Sequence, residues 1–270
     1  MLIENEVLKD FSNLVYEEKH RNFEGVLKTG VDLGTANIVI SVVDSNNSPV
    51  AGATFPSNVV KDGIVVDFVG AINILKKLKL KIENLLNVEL LEAATAVPPG
   101  IMSGNVKCIV NVVEGAGFEV INVIDEPTAA STVLNIKDGA VVDIGGGTTG
   151  ISILKNGEVI FTADEATGGT HMTLVLAGYY GISIEEAEKL KKDPKKDKEI
   201  FPIIKPVVEK MASIVKKYLK DYDVPAVYVV GGASSFEEFN EVFEKEIGIE
   251  TIKSNEPLLV TPLGIAMNCN

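Results

Sequence analysis

Positive charge is what this chain is short of: 25 Lys and Arg stand against 38 Asp and Glu, a net charge of −13 near neutral pH. A surface of that sign offers no field to nucleic-acid phosphates or anionic lipid headgroups, so neither nucleic acid nor membrane is expected as a partner. Long apolar runs are missing too. Although 46% of the residues are hydrophobic, no run reaches the roughly 20 residues of a membrane span. The first residues, with Glu4, Glu6 and Asp10, lack the basic start and apolar stretch of a secretory signal. Cysteine is scarce. Cys108 and Cys269 lie far apart, with no partner at metal-ligand spacing, which suits reduced thiols in a cytoplasmic, non-secreted protein. Two phosphate-binding signatures are also absent. No G-x-x-x-x-G-K-[ST] occurs and no G-x-G-x-x-G leads from a strand into a helix, which argues against P-loop and dinucleotide-binding folds.

What is present is a repeated turn. Val31-Asp32-Leu33-Gly34-Thr35 and Val142-Asp143-Ile144-Gly145-Gly146 each end an apolar strand in aspartate, an aliphatic residue and glycine, and each leads straight into another strand pattern. Glycine lets bare backbone N–H groups approach a ligand, and an aspartate at a strand end can hold a hydrated cation. One Asp-x-Gly is ordinary turn chemistry. Three successive glycines between buried strands, Gly145 to Gly147, cost about 1 kcal/mol each unless backbone must meet a ligand.

Around these turns the pattern alternates between strands and helices, which predicts an α/β protein with mixed sheets. An amphipathic helix is expected over 4–24, carrying Val7, Leu8, Phe11, Leu14 and Val15 on one stripe. Packing on the body of the protein is its favoured reading, and docking to a shell or enzyme partner is the alternative. Strands are expected at 28–44, 49–55, 92–97, 120–125, 139–144, 226–230 and 249–252. Helices are expected at 68–87, 104–115, 170–179, 183–192, 206–220 and 235–247, with others starting at Pro127 and at 257. Asn156-Gly157 signals a hairpin. The lysine-rich run Lys189 to Glu199 reads as a solvated helix tip and loop. His20 reads as solvated, and His171 as a surface or helix-start residue, with a phosphate contact as the alternative.

Three further segments complete a set: Ile124-Asp125-Glu126-Pro127-Thr128-Ala129-Ala130, Val229-Val230-Gly231-Gly232-Ala233-Ser234, and Pro257 to Met267 with Gly264 inside a helix. In this order the five segments resemble the sugar-kinase, DnaK-type chaperone and actin superfamily of ATP-binding proteins, over nearly everything from Gly30 to Asn268. The resemblance implies an actin-like ATPase fold: two duplicated ribonuclease-H-like lobes with mixed sheets flanked by helices. Lobe one would span 28–138, with a helix at 257–270 packing back on it, and lobe two 139–256, behind an N-terminal helix in 1–27. ATP or ADP with Mg2+ would lie between the lobes. Asp32 and Asp143 would hold the magnesium. Gly34, Thr35, Ala36 and Asn37 would meet the phosphates from one side and Gly145, Gly146, Gly147 and Thr148 from the other, with Gly168 and Gly169 nearby. Gly231, Gly232 and Ala233 would follow the ribose and adenine. Glu126 would orient an attacking water; otherwise it is an acid that merely suits a helix start.

Within that superfamily, Gly145 to Gly150 and Ala166-Thr167-Gly168-Gly169-Thr170-His171-Met172 resemble a small DnaK-like chaperone family encoded with the ethanolamine-utilisation enzymes of bacterial microcompartments. The resemblance implies a protein client among those enzymes or the shell proteins. Departures from the wider pattern point to slow ATP turnover at most. The insertion that relatives carry before Lys61-Asp62-Gly63 is largely missing, so the upper subdomain of lobe one is expected to be absent, along with a phosphate-facing lysine near Asn58. Gly150 stands where relatives place an acid. Ala212 and Ser213 replace a basic pair that sandwiches adenine. No peptide-gripping module is expected after Asn270. A filament-forming actin, suggested by Lys61 to Phe68, and a catalytically inactive nucleotide sensor remain alternatives. A small-molecule kinase would need a general-base aspartate that does not stand out.

Overall fold

The computed structural model describes residues 2–270. It opens with β1 (Leu2–Ile3) and α1 (Glu6–Tyr16). Asn5 starts the helix by accepting the backbone N–H groups of Val7 and Leu8 at 3.0 and 3.3 Å. Leu8, Phe11 and Val15 form its buried face, and a Cβ added at Gly52 would come within 2.6 Å of the Phe11 ring, so the helix rests directly on bare sheet backbone. It stops at Tyr16, short of the expected 24. The segment Glu17 to Arg21 has nothing apolar to bury, and Glu18 turns left-handed at φ 54°.

Lobe one begins with the meander β2 (Lys28–Leu33), β3 (Asn37–Val43) and β4 (Pro49–Pro56). A two-strand hairpin, β5 (Val60–Lys61) and β6 (Ile64–Val65), is all that separates β4 from α2 (Phe68–Leu86), so the upper subdomain is largely absent. Asp67 caps α2 through Gly70 N–H at 2.8 Å. Then come β7 (Glu92–Val97), α3 (Ser103–Gly115), β8 (Glu119–Asp125) and α4 (Glu126–Leu134). Lobe two repeats the meander as β9 (Gly139–Ile144), β10 (Thr149–Lys155) and β11 (Glu158–Glu165), the last two joined at Asn156 and Gly157, both with positive φ. It continues through α5 (Gly169–Tyr180), α6 (Ile184–Lys191), α7 (Asp197–Leu219), β12 (Val227–Val230), α8 (Phe239–Ile247), β13 (Thr251–Ser254) and α9 (Pro257–Met267). Helix α7 starts well before the expected residue 206, running through Pro202 and Pro206. Burial of Ile200, Phe201 and Ile204 holds the turns that the prolines weaken.

The strand orders show the duplication: β4-β3-β2-β7-β8 in one sheet and β11-β10-β9-β12-β13-β1 in the other. Each has an antiparallel three-strand meander continued by parallel strands. Each sheet packs its helices in its own apolar core. A third core joins them, bringing Leu8, Phe11 and Val15 of α1 against Leu259, Val260, Leu263 and Ala266 of α9, with Val39 and Val141 from the two sheets. Helices α4 and α9 cross closely. A Cβ at Gly264 would sit 1.9 Å from the Ala129 carbonyl oxygen, so only glycine fits. The Leu2–Ile3 strand, which no apolar periodicity announced, pairs with Lys253 and Ser254 at the edge of the second sheet.

Candidate functional site

Between the lobes lies a cleft of about 610 Å³, within the usual range for ligand sites of roughly 300–1,000 Å³. Both acid-tipped turns open onto it, because in each lobe the turn joins the first two strands of the meander at the same sheet end. From lobe one come Asp32, Gly34, Thr35, Ala36 and Asn37; from lobe two come Asp143, Gly145, Gly146, Gly147, Thr148 and Gly169. Gly231, Gly232 and Ala233, following β12, line the same cavity, as does Glu126 at the start of α4. Gly168 alone among the expected residues stands behind the wall. A Cβ there would lie 2.8 Å from the carbonyl oxygens of Gly145 and Gly146.

The second turn is fixed from behind. Gly169 N–H donates to Gly145 O at 2.9 Å, and Thr170 donates to Gly146 O through both its N–H and its hydroxyl at 2.7 Å. The N-terminus of α5 therefore holds the carbonyls of Gly145 and Gly146, while Gly145 N–H closes the turn on Thr148 O at 3.0 Å. His171 turns back, its Nδ1 3.4 Å from Gly168 N, and does not line the cavity. The glycines of this turn have a second reason for being small. A Cβ at Gly146 would meet Ala36 and Thr35 at 3.1–3.2 Å, and one at Gly147 would meet Asp62 of the β5–β6 hairpin at 2.6 Å. The opposing turns touch.

Charge at the cleft is concentrated and negative. Burial, then the Asp143 charge, pushes Asp32 up to about 7. Burial raises Asp143 to about 6 against the pull of a hydrogen bond from Thr261 Oγ1. Glu126 is held well above the ordinary glutamate range by burial, Asp143 and Asp32. Among the described residues no three His, Cys, Asp or Glu stand where they could ligate one ion directly. Two facing carboxylates without a cage suit a small hard cation that keeps most of its water.

Several lining residues were not anticipated. Within the run read as solvated, Lys191 is held inward: its ammonium donates to Gly169 O at 3.0 Å and Thr173 Oγ1 at 2.8 Å and pairs with Glu188 at 2.7 Å. With Lys192, it places two cations on the cavity wall. The signal was there in the i, i+3 spacing of Glu188 and Lys191, which puts both on one helix face. Phe236 and Leu258 give the far end an apolar lining, and buried Lys253 steadies it by donating to Phe236 O at 2.6 Å. The arrangement can hold a polyphosphate and hydrated cation at the turns and a flat heterocycle between Phe236, Leu258 and the glycines after β12.

Comparison with known proteins gives this geometry its kinship. The family model of the type IV pilus assembly protein PilM matches residues 109–258. The ethanolamine utilization protein EutJ of Escherichia coli (strain K12) is 43% identical over 244 residues, covering 90% of this chain and 86% of that protein. The crystal structure of EutJ from Carboxydothermus hydrogenoformans superimposes with a TM-score of 0.92 at 50% identity over 97% of each chain. MreB5 of Spiroplasma citri bound to AMPPNP shares the fold, with a TM-score of 0.71 at 17% identity over 89% of this chain and 95% of that one. The chain thus has an actin-like ATPase fold, falls within the wider family that the PilM model describes, and belongs to the EutJ family of ethanolamine utilization proteins.

Proposed function

We propose that this chain is an ATP-binding, DnaK-like chaperone or assembly factor for the enzymes or shell proteins of ethanolamine utilisation, acting in the cytoplasm beside a microcompartment. The observation that carries the nucleotide reading is the pair of acid-tipped turns meeting across one cleft, with Gly146 against Ala36 and Asp32 sensing Asp143. The donor set fits the ligand. Amides and hydroxyls of Gly34 to Asn37 and Gly145 to Thr148 suit phosphate oxygens. Asp32 and Asp143, held above their ordinary pKa first by burial, suit a hydrated Mg2+. When bound, that ion supplies the charge that neutralises adjacent phosphates. Glu188 and Lys191 offer polar contacts to a nucleoside, and Phe236 with Leu258 an apolar wall.

Glu126 lines the cleft where it could orient an attacking water. Turnover is slow at most, and nucleotide acts mainly by changing how far the lobes close. The small β5–β6 hairpin, in place of an upper subdomain, argues against longitudinal filament contacts.

A thermal-shift titration with ADP or ATP and magnesium tests the reading. A ligand at 100 times its Kd adds about 2.7 kcal/mol to the native state. No stabilisation at millimolar nucleotide removes the proposal. For the client, refolding of an ethanolamine-utilisation enzyme followed by light scattering should show less aggregation with this chain present, in a nucleotide-dependent manner.

A further inference from the structure

The second sheet carries a row that runs from Asp143 to a residue the site described above does not use. In the pairing of β9, β10 and β11, Asp143 lies opposite Gly150, and Gly150 lies opposite Asp164. Directly paired residues project from the same face of a sheet. Two carboxylates therefore flank a position with no side chain. Over Gly150 sit lobe-one residues: a Cβ there would meet Pro127 at 3.0 Å and Pro99 at 3.4 Å, so this face belongs to the seam between the lobes.

Asp164 is oddly provided for. Its Oδ1 is buried and accepts no hydrogen bond, an arrangement that costs stability unless a donor arrives. Burial raises Asp164 to about 7 against the pull of one hydrogen bond from the Thr148 side chain, and the like charges of Asp143, Glu165 and Asp62 add to the rise. Thr148 belongs to the turn that lines the cleft. A carboxylate placed in line with Asp143, contacting a turn hydroxyl and otherwise unpartnered, has the chemistry of an outer support for a cation.

We infer that Asp164 is a positioning residue of the nucleotide site: standing in line with Asp143 across Gly150, it adds a third carboxylate toward the water shell of the cation that Asp32 and Asp143 would hold. The inference rests on the nucleotide reading and deepens it. It assigns Asp164 a role in magnesium dependence, with little role in nucleotide binding by itself.

The test compares ADP binding by the full chain in EDTA and in excess magnesium, by calorimetry, for wild type, Asp164→Asn and Asp164→Ala, with the melting temperature of each ligand-free chain recorded. Magnesium should tighten ADP binding by wild type, and the two variants should lose roughly 10- to 100-fold of that tightening. ADP affinity in EDTA should stay the same, and the ligand-free melting temperature should not fall, since a crowded acid has been removed. Full magnesium dependence in Asp164→Asn overturns the inference, as does an equal loss of affinity with and without the metal. A wild-type chain indifferent to ADP under both conditions overturns the nucleotide reading and the inference with it.

Discussion

The two lobes are built on one plan and depart from it at their turns. In lobe one the turn from β2 to β3 has a single glycine, Gly34, followed by Thr35, Ala36 and Asn37; in lobe two the matching turn has three glycines in a row. The difference has a steric source. The side chains that lobe one keeps, at Thr35 and Ala36, together with Asp62, occupy the room that side chains at Gly146 and Gly147 would need. A duplicated hairpin cannot keep side chains on both copies where the copies face each other. The glycine-rich member is also the one braced from behind, since α5 fixes the carbonyls of Gly145 and Gly146. Lobe two thus contributes a rigid bare-backbone wall, and lobe one a wall with side chains.

That contrast can be broken in graded ways. The largest effect is expected where the lobes share a core. Phe11→Ala empties a fully buried ring position between α1 and the sheet, and urea unfolding should show a loss of about 3–5 kcal/mol. A loss below about 1 kcal/mol would mean that α1 is a detachable arm, which would favour its reading as a docking helix. Next comes Gly146→Val, which drives branched carbons into Thr35 and Ala36. It should cost about 1–3 kcal/mol and weaken nucleotide binding, whereas Ala36→Gly on the other wall should relieve part of the cost when the two are combined. An additive double variant would show that the turns do not meet in solution.

Smaller still is the seam itself. Ser152 Oγ donates to Asp125 Oδ1 at 3.1 Å between β10 and the N-cap of α4, and Ser152→Ala should cost about 1–2 kcal/mol. The last effect concerns pH. Asp164 titrates near 7 in the folded chain, above the roughly 3.9 of an unfolded aspartate. An acid with a raised folded pKa opposes folding once ionised, so its cost is absent below about pH 4 and grows as pH rises to about 7. The melting temperatures of wild type and Asp164→Asn should therefore coincide near pH 4, with the variant a few degrees higher at pH 8. A gap that narrows with rising pH would contradict the sign.

The duplication could be read from residues 31–37 and 142–150, because a strand ending in Asp-x-Gly before another strand is a local pattern that needs no tertiary information. The placement of the five segments around one cleft follows from that pattern and from the resemblance it supports. What lay beyond the sequence depended on contacts between distant segments. Three glycines looked like ligand-facing backbone, yet two of them also answer to side chains more than 80 residues away, at Thr35, Ala36 and Asp62. Lys191 sat in a run whose composition said solvent, and only the position of Gly169 and Thr173 shows that it points inward. Asp164 carries no local signature, since its meaning comes from the registers of β9 and β11 on either side of Gly150. Helix α7 begins ahead of the expected 206, because burial of Ile200, Phe201 and Ile204 outweighs the prolines at 202 and 206.

The first residues set a mechanical limit. Leu2 and Ile3 extend the sheet of lobe two, while the helix they lead into lies across β4 of lobe one with only Glu4 and Asn5 between. Asn5 adds to the fastening by donating its backbone N–H to Asn255 Oδ1 at 3.1 Å. The segment straps the two lobes together, so wide separation of the halves would have to unzip that strand or lift that helix, which favours small, stiff movements.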